Sequence, residues 1–208
     1  MSEDTLKPAR LSFLVLVMVF ISVSVFAQGG DFSFGVSTVT SPGPSNTDPN
    51  VGLLVAPTIG GGSYLSFNGD FLLRHSFGVG GEISWRAKQN FYAGFQPYRP
   101  LFYDFYGVYA PKLSKNVGAT LLAGVGAESV RFYSDQFTCS GFTGSCTNYT
   151  SSNHFMGVFG GGLKLYPKGN FFIEPEVRLY LVHNNFEFSS NRVVRSGVSI
   201  GYTFGRND

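Results

Sequence analysis

The sequence predicts an all-β fold: an eight-stranded antiparallel up-and-down transmembrane β-barrel that follows a cleaved signal peptide. Three observations predict it. The first is composition: of 208 residues only 13% are charged while 16% are aromatic, with 27 glycines and a formal net charge of +2. That balance is unusual for a soluble enzyme and gives no basic footprint for nucleic acid. The second is periodicity along Asn170–Phe188, where Phe171, Ile173, Val177, Leu179 and Leu181 form one row, interrupted by Pro175, and Phe172, Glu174, Glu176, Arg178 and Tyr180 form the other. A period of two means a strand, because successive side chains point to opposite faces. A strand apolar on one face and ionic on the other suits a barrel wall in lipid. The third is spacing: the linkers between such segments run long, short, long, short to the end of the chain, as they do where short turns sit at one membrane face and long loops at the other.

The N-terminus reads as an export signal. Lys7 and Arg10 precede the apolar run Leu11–Val25, and Val25-Phe26-Ala27 resembles a small-x-small cleavage site. Residues 1–27 are therefore expected to be removed and 28–208 to form the barrel. The apolar run falls short of the ~18–20 residues of a spanning helix, and no second run of that length follows, which excludes helical spanning for the mature chain.

The expected strands follow in order. Asp31–Thr40 sets Phe32, Phe34, Val36 and Thr38 on one face, and the loop composition of Ser41–Asn50 follows it. Val51–Ile59, broken by Pro57, reads equally as a loop or as an extension of the next strand. Ser63–Leu73 turns Leu65, Phe67, Phe71 and Leu73 outward and Tyr64, Ser66, Asn68 and Asp70 inward. After a turn at Arg74-His75-Ser76, Phe77–Lys88 alternates Phe77, Val79, Ile83 and Trp85 with glycines, Glu82, Ser84 and Arg86, making the cleanest hairpin. Gln89–Pro100 is read as a loop. Leu101–Ala110 places Asp104 inward, and Val117–Tyr133 places Glu128 inward, with Arg131 on the apolar parity as a sign of a bulge or of departure from the membrane. Ser134–Asn153 is read as a loop, His154–Tyr166 as a strand with Lys164 inward, and Arg192–Phe204 as the closing strand with Arg195 inward. No segment of the mature chain has a helical period to cover an open sheet, so closure in lipid is the consistent solution.

At this point the chain resembles the small eight-stranded outer-membrane barrels, the group of the OmpA transmembrane domain, OmpX and the neisserial opacity proteins. Gly78-Val79-Gly80-Gly81-Glu82-Ile83-Ser84-Trp85 and the closing Gly201-Tyr202-Thr203-Phe204 carry the resemblance, with Phe204 followed by four further residues. It implies a bacterial outer-membrane location with both termini periplasmic. It also implies contact with outer-membrane lipids and lipopolysaccharide, and delivery by the barrel assembly machinery, to which such a terminal aromatic is a signal.

The inward charges are expected to form a lumen network: Asp70, Glu82, Arg86, Asp104, Glu128, Lys164, Glu174, Glu176, Arg178 and Arg195. An eight-stranded barrel leaves an interior just wide enough for side chains, so charges there must be paired. Register across Pro167–Gly169 predicts a salt bridge between Lys164 and Glu174. Pro175 removes an N–H from the ladder, which predicts a bulge or a water-satisfied partner. Cys139 and Cys146, close together in an exported chain, are expected to form a disulfide stapling one loop; no His or acid cluster suggests a metal. Aromatic belts are expected at Phe77, Tyr109, Tyr166, Phe171, Tyr202 and Phe204 on the periplasmic side and at Tyr64, Trp85, Tyr103, Phe132, Tyr133 and Phe155 on the outer side.

The resulting expectation is a non-enzymatic outer-membrane barrel with a plugged polar lumen. It would serve envelope integrity, or adhesion and recognition of a host or surface ligand through its loops, without a cofactor. A narrow passive pore is the runner-up. A lipid A-modifying enzyme is the third reading: Ser152, His154 and His183 fall near the outer rim, but His154 has no acid at triad spacing, and they read as rim polar residues. Gly60–Gly62 and Gly160–Gly162 fit no phosphate-binding motif and precede no helix. Asn148-Tyr149-Thr150 is a formal glycosylation sequon with little meaning in a bacterial host.

Overall fold

The structure is a computed structural model that describes residues 29–42, 58–74, 76–92, 95–139, 146–188 and 190–205. The expected signal peptide lies outside these residues, as do positions 51–57 of the ambiguous Val51–Ile59 segment. Among the described residues nine strands are formed: β1 (Gly29–Thr40), β2 (Ser63–Arg74), β3 (Phe77–Arg86), β4 (Asn90–Tyr92), β5 (Gln96–Tyr109), β6 (Val117–Cys139), β7 (Cys146–Lys168), β8 (Phe171–Val182) and β9 (Arg192–Phe204). All pairings are antiparallel; β1 pairs with both β2 and β9, and β3 pairs with β5, so the sheet closes on itself. The short β4 pairs with β5 alone and stands outside the wall, leaving an eight-stranded barrel. Closure removes every free edge from the wall, which backbone groups in hydrocarbon require.

The alternation seen in the sequence maps onto inside and outside. In β1 every odd position from Asp31 to Val39 is buried and every even one is exposed. The outer surface carries Phe105 at 73% exposure and Ile200 at 63%, together with Phe34, Phe67, Val125, Phe159 and Val177. An apolar surface of this continuity is covered by a partner or by lipid. Aromatic rings gather where the wall meets the end carrying both described termini: Phe77 and Tyr109 lie 4.6 Å apart, and Phe171, Tyr202 and Phe204 pack edge to face. Two residues named for the belts lie on the inner face, as their strand parity requires. Tyr64 is fully buried, and the Tyr166 hydroxyl meets Thr203 Oγ1 at 3.2 Å. Phe132 is half-buried and packs on Tyr92 and Tyr98.

Two expectations about the elements change, and at Arg131 and Pro175 the bulge falls as one of two alternatives. Ser134–Asn153 is not simply a loop: β6 and β7 continue their pairing far beyond the barrel to Thr138↔Thr147 and Cys139↔Cys146, forming a projecting ribbon. Gln89–Pro100 likewise contains β4 and the start of β5. Arg131 pairs with Ser151 in unbroken register, and the irregularity comes later, between Tyr133 and Thr138. No bulge forms at Pro175. The β7–β8 register is the same on both sides of it, and the shift lies nearer the turn, between Leu165 and Lys168.

Candidate functional site: the charged lumen and its capped mouth

Inside the barrel lie all the charged residues expected there: Asp70, Glu82, Arg86, Asp104, Glu128, Lys164, Glu174, Arg178 and Arg195 are buried, and Glu176 is half-buried. Asp31 joins them at 3% exposure, which brings the lumen, among the described residues, to seven acids against four bases. It escapes notice in the sequence because it heads the inner row of β1, which is otherwise uncharged.

The strand register creates an electrostatic problem that the bore then solves. Arg178 on β8 is the cross-strand neighbour of Arg195 on β9, and Glu82 on β3 is the neighbour of Asp104 on β5. Like charges placed directly opposite repel. Each pair faces the other across the lumen, however. Arg178 reaches Glu82 at 3.0 Å and Asp104 at 3.4 Å, and Arg195 reaches Glu82 at 2.7 Å. Glu176 adds contacts of 3.1 Å to Arg178 and 2.9 Å to Arg195. Strands on opposite sides of the wall are thereby bolted together through the centre of the barrel.

A second layer lies toward the terminus end. Asp31 and Asp70 are cross-strand neighbours, another like-charge pair. Lys164 Nζ crosses the bore to both, at 2.5 and 3.5 Å, and Tyr106 donates to Asp70 Oδ1 at 2.9 Å. The expected Lys164–Glu174 salt bridge is not among the ion pairs formed. Both side chains are buried on the inner face, but the ammonium makes its direct ion pairs with Asp31 and Asp70 on the far wall.

Toward the long-loop end the lumen becomes aromatic. Phe102 and Tyr180 stack at 5.1 Å, Arg86 lies 5.9 Å from the rings of both Tyr64 and Tyr98, and Tyr98 packs on Phe188. Gly62, at φ 79°, lets the Arg86 guanidinium lie against the chain, since a Cβ there would come within 2.5 Å of it. At the mouth, Ser152 and His154 on β7 meet Glu187 of the β8–β9 loop: His154 Nε2 is 2.8 Å from Glu187 Oε2 and 3.0 Å from Ser152 Oγ, while Ser152 donates to Glu187 Oε1. Burial raises the Glu187 carboxyl, but the Ser152 hydroxyl, a backbone hydrogen bond and the neighbouring His154 outweigh it and hold the group below its ordinary value. His183 takes no part in this cluster; its backbone N–H donates to Phe155 O.

Glu187 supplies the acid that His154 lacks in the sequence, yet the arrangement is not that of a nucleophilic relay. A relay sets the serine on one imidazole nitrogen and the acid on the other. Here both approach Nε2, and the serine proton goes to the carboxylate. The trio is a clasp that fastens the β8–β9 loop over the lumen. Among the described residues no group of acids, histidines and cysteines is placed to hold a metal ion. Cys139 and Cys146 are bonded at the outer part of the β6–β7 ribbon.

This geometry of closed wall, filled bore and apolar exterior has counterparts among solved structures. Ail, the attachment invasion locus protein of Yersinia pestis, superposes with a TM-score of 0.53 at 15% identity over 85% of this chain and 98% of its own. Neisserial surface protein A gives 0.54 at 10% identity over 86% and 98%. The chain has the fold of the small eight-stranded outer-membrane barrels. The N-terminal barrel domain of Pseudomonas aeruginosa OprF is a further example, at a TM-score of 0.51 and 10% identity over 86% and 98%. No protein-family profile matches the chain, and no curated protein does. At these identities the likeness is one of fold, carried by strand number, closure and inside–outside alternation.

Proposed function

We propose that this protein is a non-enzymatic barrel of the bacterial outer membrane, with its termini in the periplasm, that acts through the elements projecting at its long-loop end. The observation that carries the reading is the ion network across the bore: Arg178 and Arg195 span from β8 and β9 to Glu82 on β3, leaving the centre of the barrel filled. A filled bore moves no solute, so recognition falls to the β6–β7 ribbon and the β4–β5 hairpin, which stand clear of the wall. Ail, which shares the fold, is by name an attachment and invasion protein and has been solved with the heparin analogue sucrose octasulfate. That supports a surface ligand, from a host or the environment, as the class of partner for this chain. The apolar exterior supports contact with outer-membrane lipids and lipopolysaccharide, and the closing Phe204 supports delivery by the barrel assembly machinery.

Single-channel recording of the folded protein in planar bilayers tests the filled bore. The expected record shows no sustained, well-defined openings; such openings would establish the narrow pore in its place.

A further inference from the structure

We propose that the cavity at the terminus end of the lumen binds a small organic cation, an alkylammonium of a few carbons, through Asp31. The cavity has a volume of about 730 Å³ and is lined by Asp31, Lys164, Tyr166, Thr203, Leu72 and Phe204, among others. That volume lies in the range of small-molecule sites, which combine apolar walls with a few polar groups that fix orientation.

Charge sets the class of ligand. In the central layer two guanidiniums face two carboxylates from the opposite wall, with Glu176 beside them. In the layer beside the cavity, one ammonium, Lys164, faces the Asp31–Asp70 pair, and a third buried carboxylate, Glu174, lies on its own side of the barrel. The layer beside the cavity thus holds three acids to one base, and of these Asp31 and Lys164 reach the cavity wall. Lys164 engages Asp31 through Oδ2, and Asp31 Oδ1 is buried with no hydrogen-bond partner. A buried carboxylate oxygen in that state is costly, and a donor-bearing cation relieves it.

The nature of the cation follows from the remaining walls. No described cluster offers three ligands for a chelated metal ion. An alkylammonium asks for less: a carboxylate oxygen to accept from its N–H groups and an apolar surface for the chain, which Leu72 and Ala110 present. Lys112 also lines the cavity but is exposed, where solvent screens it. The Arg178–Arg195 layer blocks the way onward, so the ligand is held and not conducted. The site lies at the opposite end of the barrel from the projecting ribbon and stands independently of any role assigned to it.

The test is a titration of the folded protein in phospholipid nanodiscs with butylammonium chloride, against sodium chloride at equal ionic strength, read by the amide shifts of Asp31, Tyr166 and Thr203. Saturable shifts are expected with butylammonium alone, and Asp31→Asn should weaken binding about tenfold. Ala110→Arg, which sets a fixed positive charge at the cavity without touching the ion network, should weaken it as well, and carries the test if the Asn variant fails to fold. Shifts reproduced by sodium, binding that survives both substitutions, or butyrate binding as tightly as butylammonium would overturn the proposal.

Discussion

Arg178 is fully buried and touches three carboxylates, on its own strand and on the far wall. Removing one member of such a network strands its partners in a low-dielectric interior. Arg178→Ala is therefore expected to cost about 3–5 kcal/mol, whereas replacing a whole ion pair by apolar groups of similar volume is often neutral. Urea unfolding in micelles of Arg178→Ala beside the double variant Arg178→Met/Glu82→Leu separates the two: the single should be the less stable. Residues of this kind were legible in the sequence because a charge on the inner parity of an apolar strand has only the lumen to enter. Asp31 and Glu187 were not. Asp31 is the one charge on the inner row of β1, and its partner Lys164 is 133 residues away. Glu187 sits outside any strand, and only the fold of the β8–β9 loop brings it to His154.

At the level of elements, the β6–β7 ribbon shows where periodicity stops informing. Within the wall, lipid and lumen impose opposite demands on alternate residues. Beyond it both faces meet water, so Ser134–Asn153 is rich in Ser, Thr and Gly without an apolar row and reads as a loop although it pairs. The Cys139–Cys146 bond closes a short span and acts locally. Changing both cysteines to serine should leave the barrel's folded, heat-modifiable migration intact while making the ribbon sensitive to protease. The β8–β9 clasp responds to pH. Because the Glu187 carboxyl lies below its ordinary value in the folded chain, its contribution is present above the unfolded pKa of about 4.3 and is lost as pH falls through the lower folded value. The protection factors of the amides at residues 183–188, taken relative to the intrinsic exchange rate at each pH, should thus fall as the medium is taken from about pH 6 to about pH 3, and Glu187→Gln should flatten that dependence. His154→Ala should likewise loosen the loop, and it should leave the mass spectrum of lipid A in expressing cells unchanged; an altered spectrum would revive the enzymatic reading.

For the whole molecule, closure, strand number and alternation were legible because lipid penalises every departure from them. Which charges meet across the bore was not, since that depends on the shear, which accumulates from the register of every strand pair around the closed wall and which no single hairpin reveals. The same cross-bore contacts have a temporal meaning. Glu82 and Arg195 are 113 residues apart and lie on walls that face each other only when the sheet has curled shut. Contacts that need a closed wall are expected to form after its rate-limiting assembly, and so to govern how long a finished barrel survives and not how fast it is made. Substitutions at Glu82, Arg178 or Arg195 should leave the rate of insertion into vesicles nearly unchanged and shorten the lifetime of the inserted protein. The lumen network would then act as a latch, set last and released first.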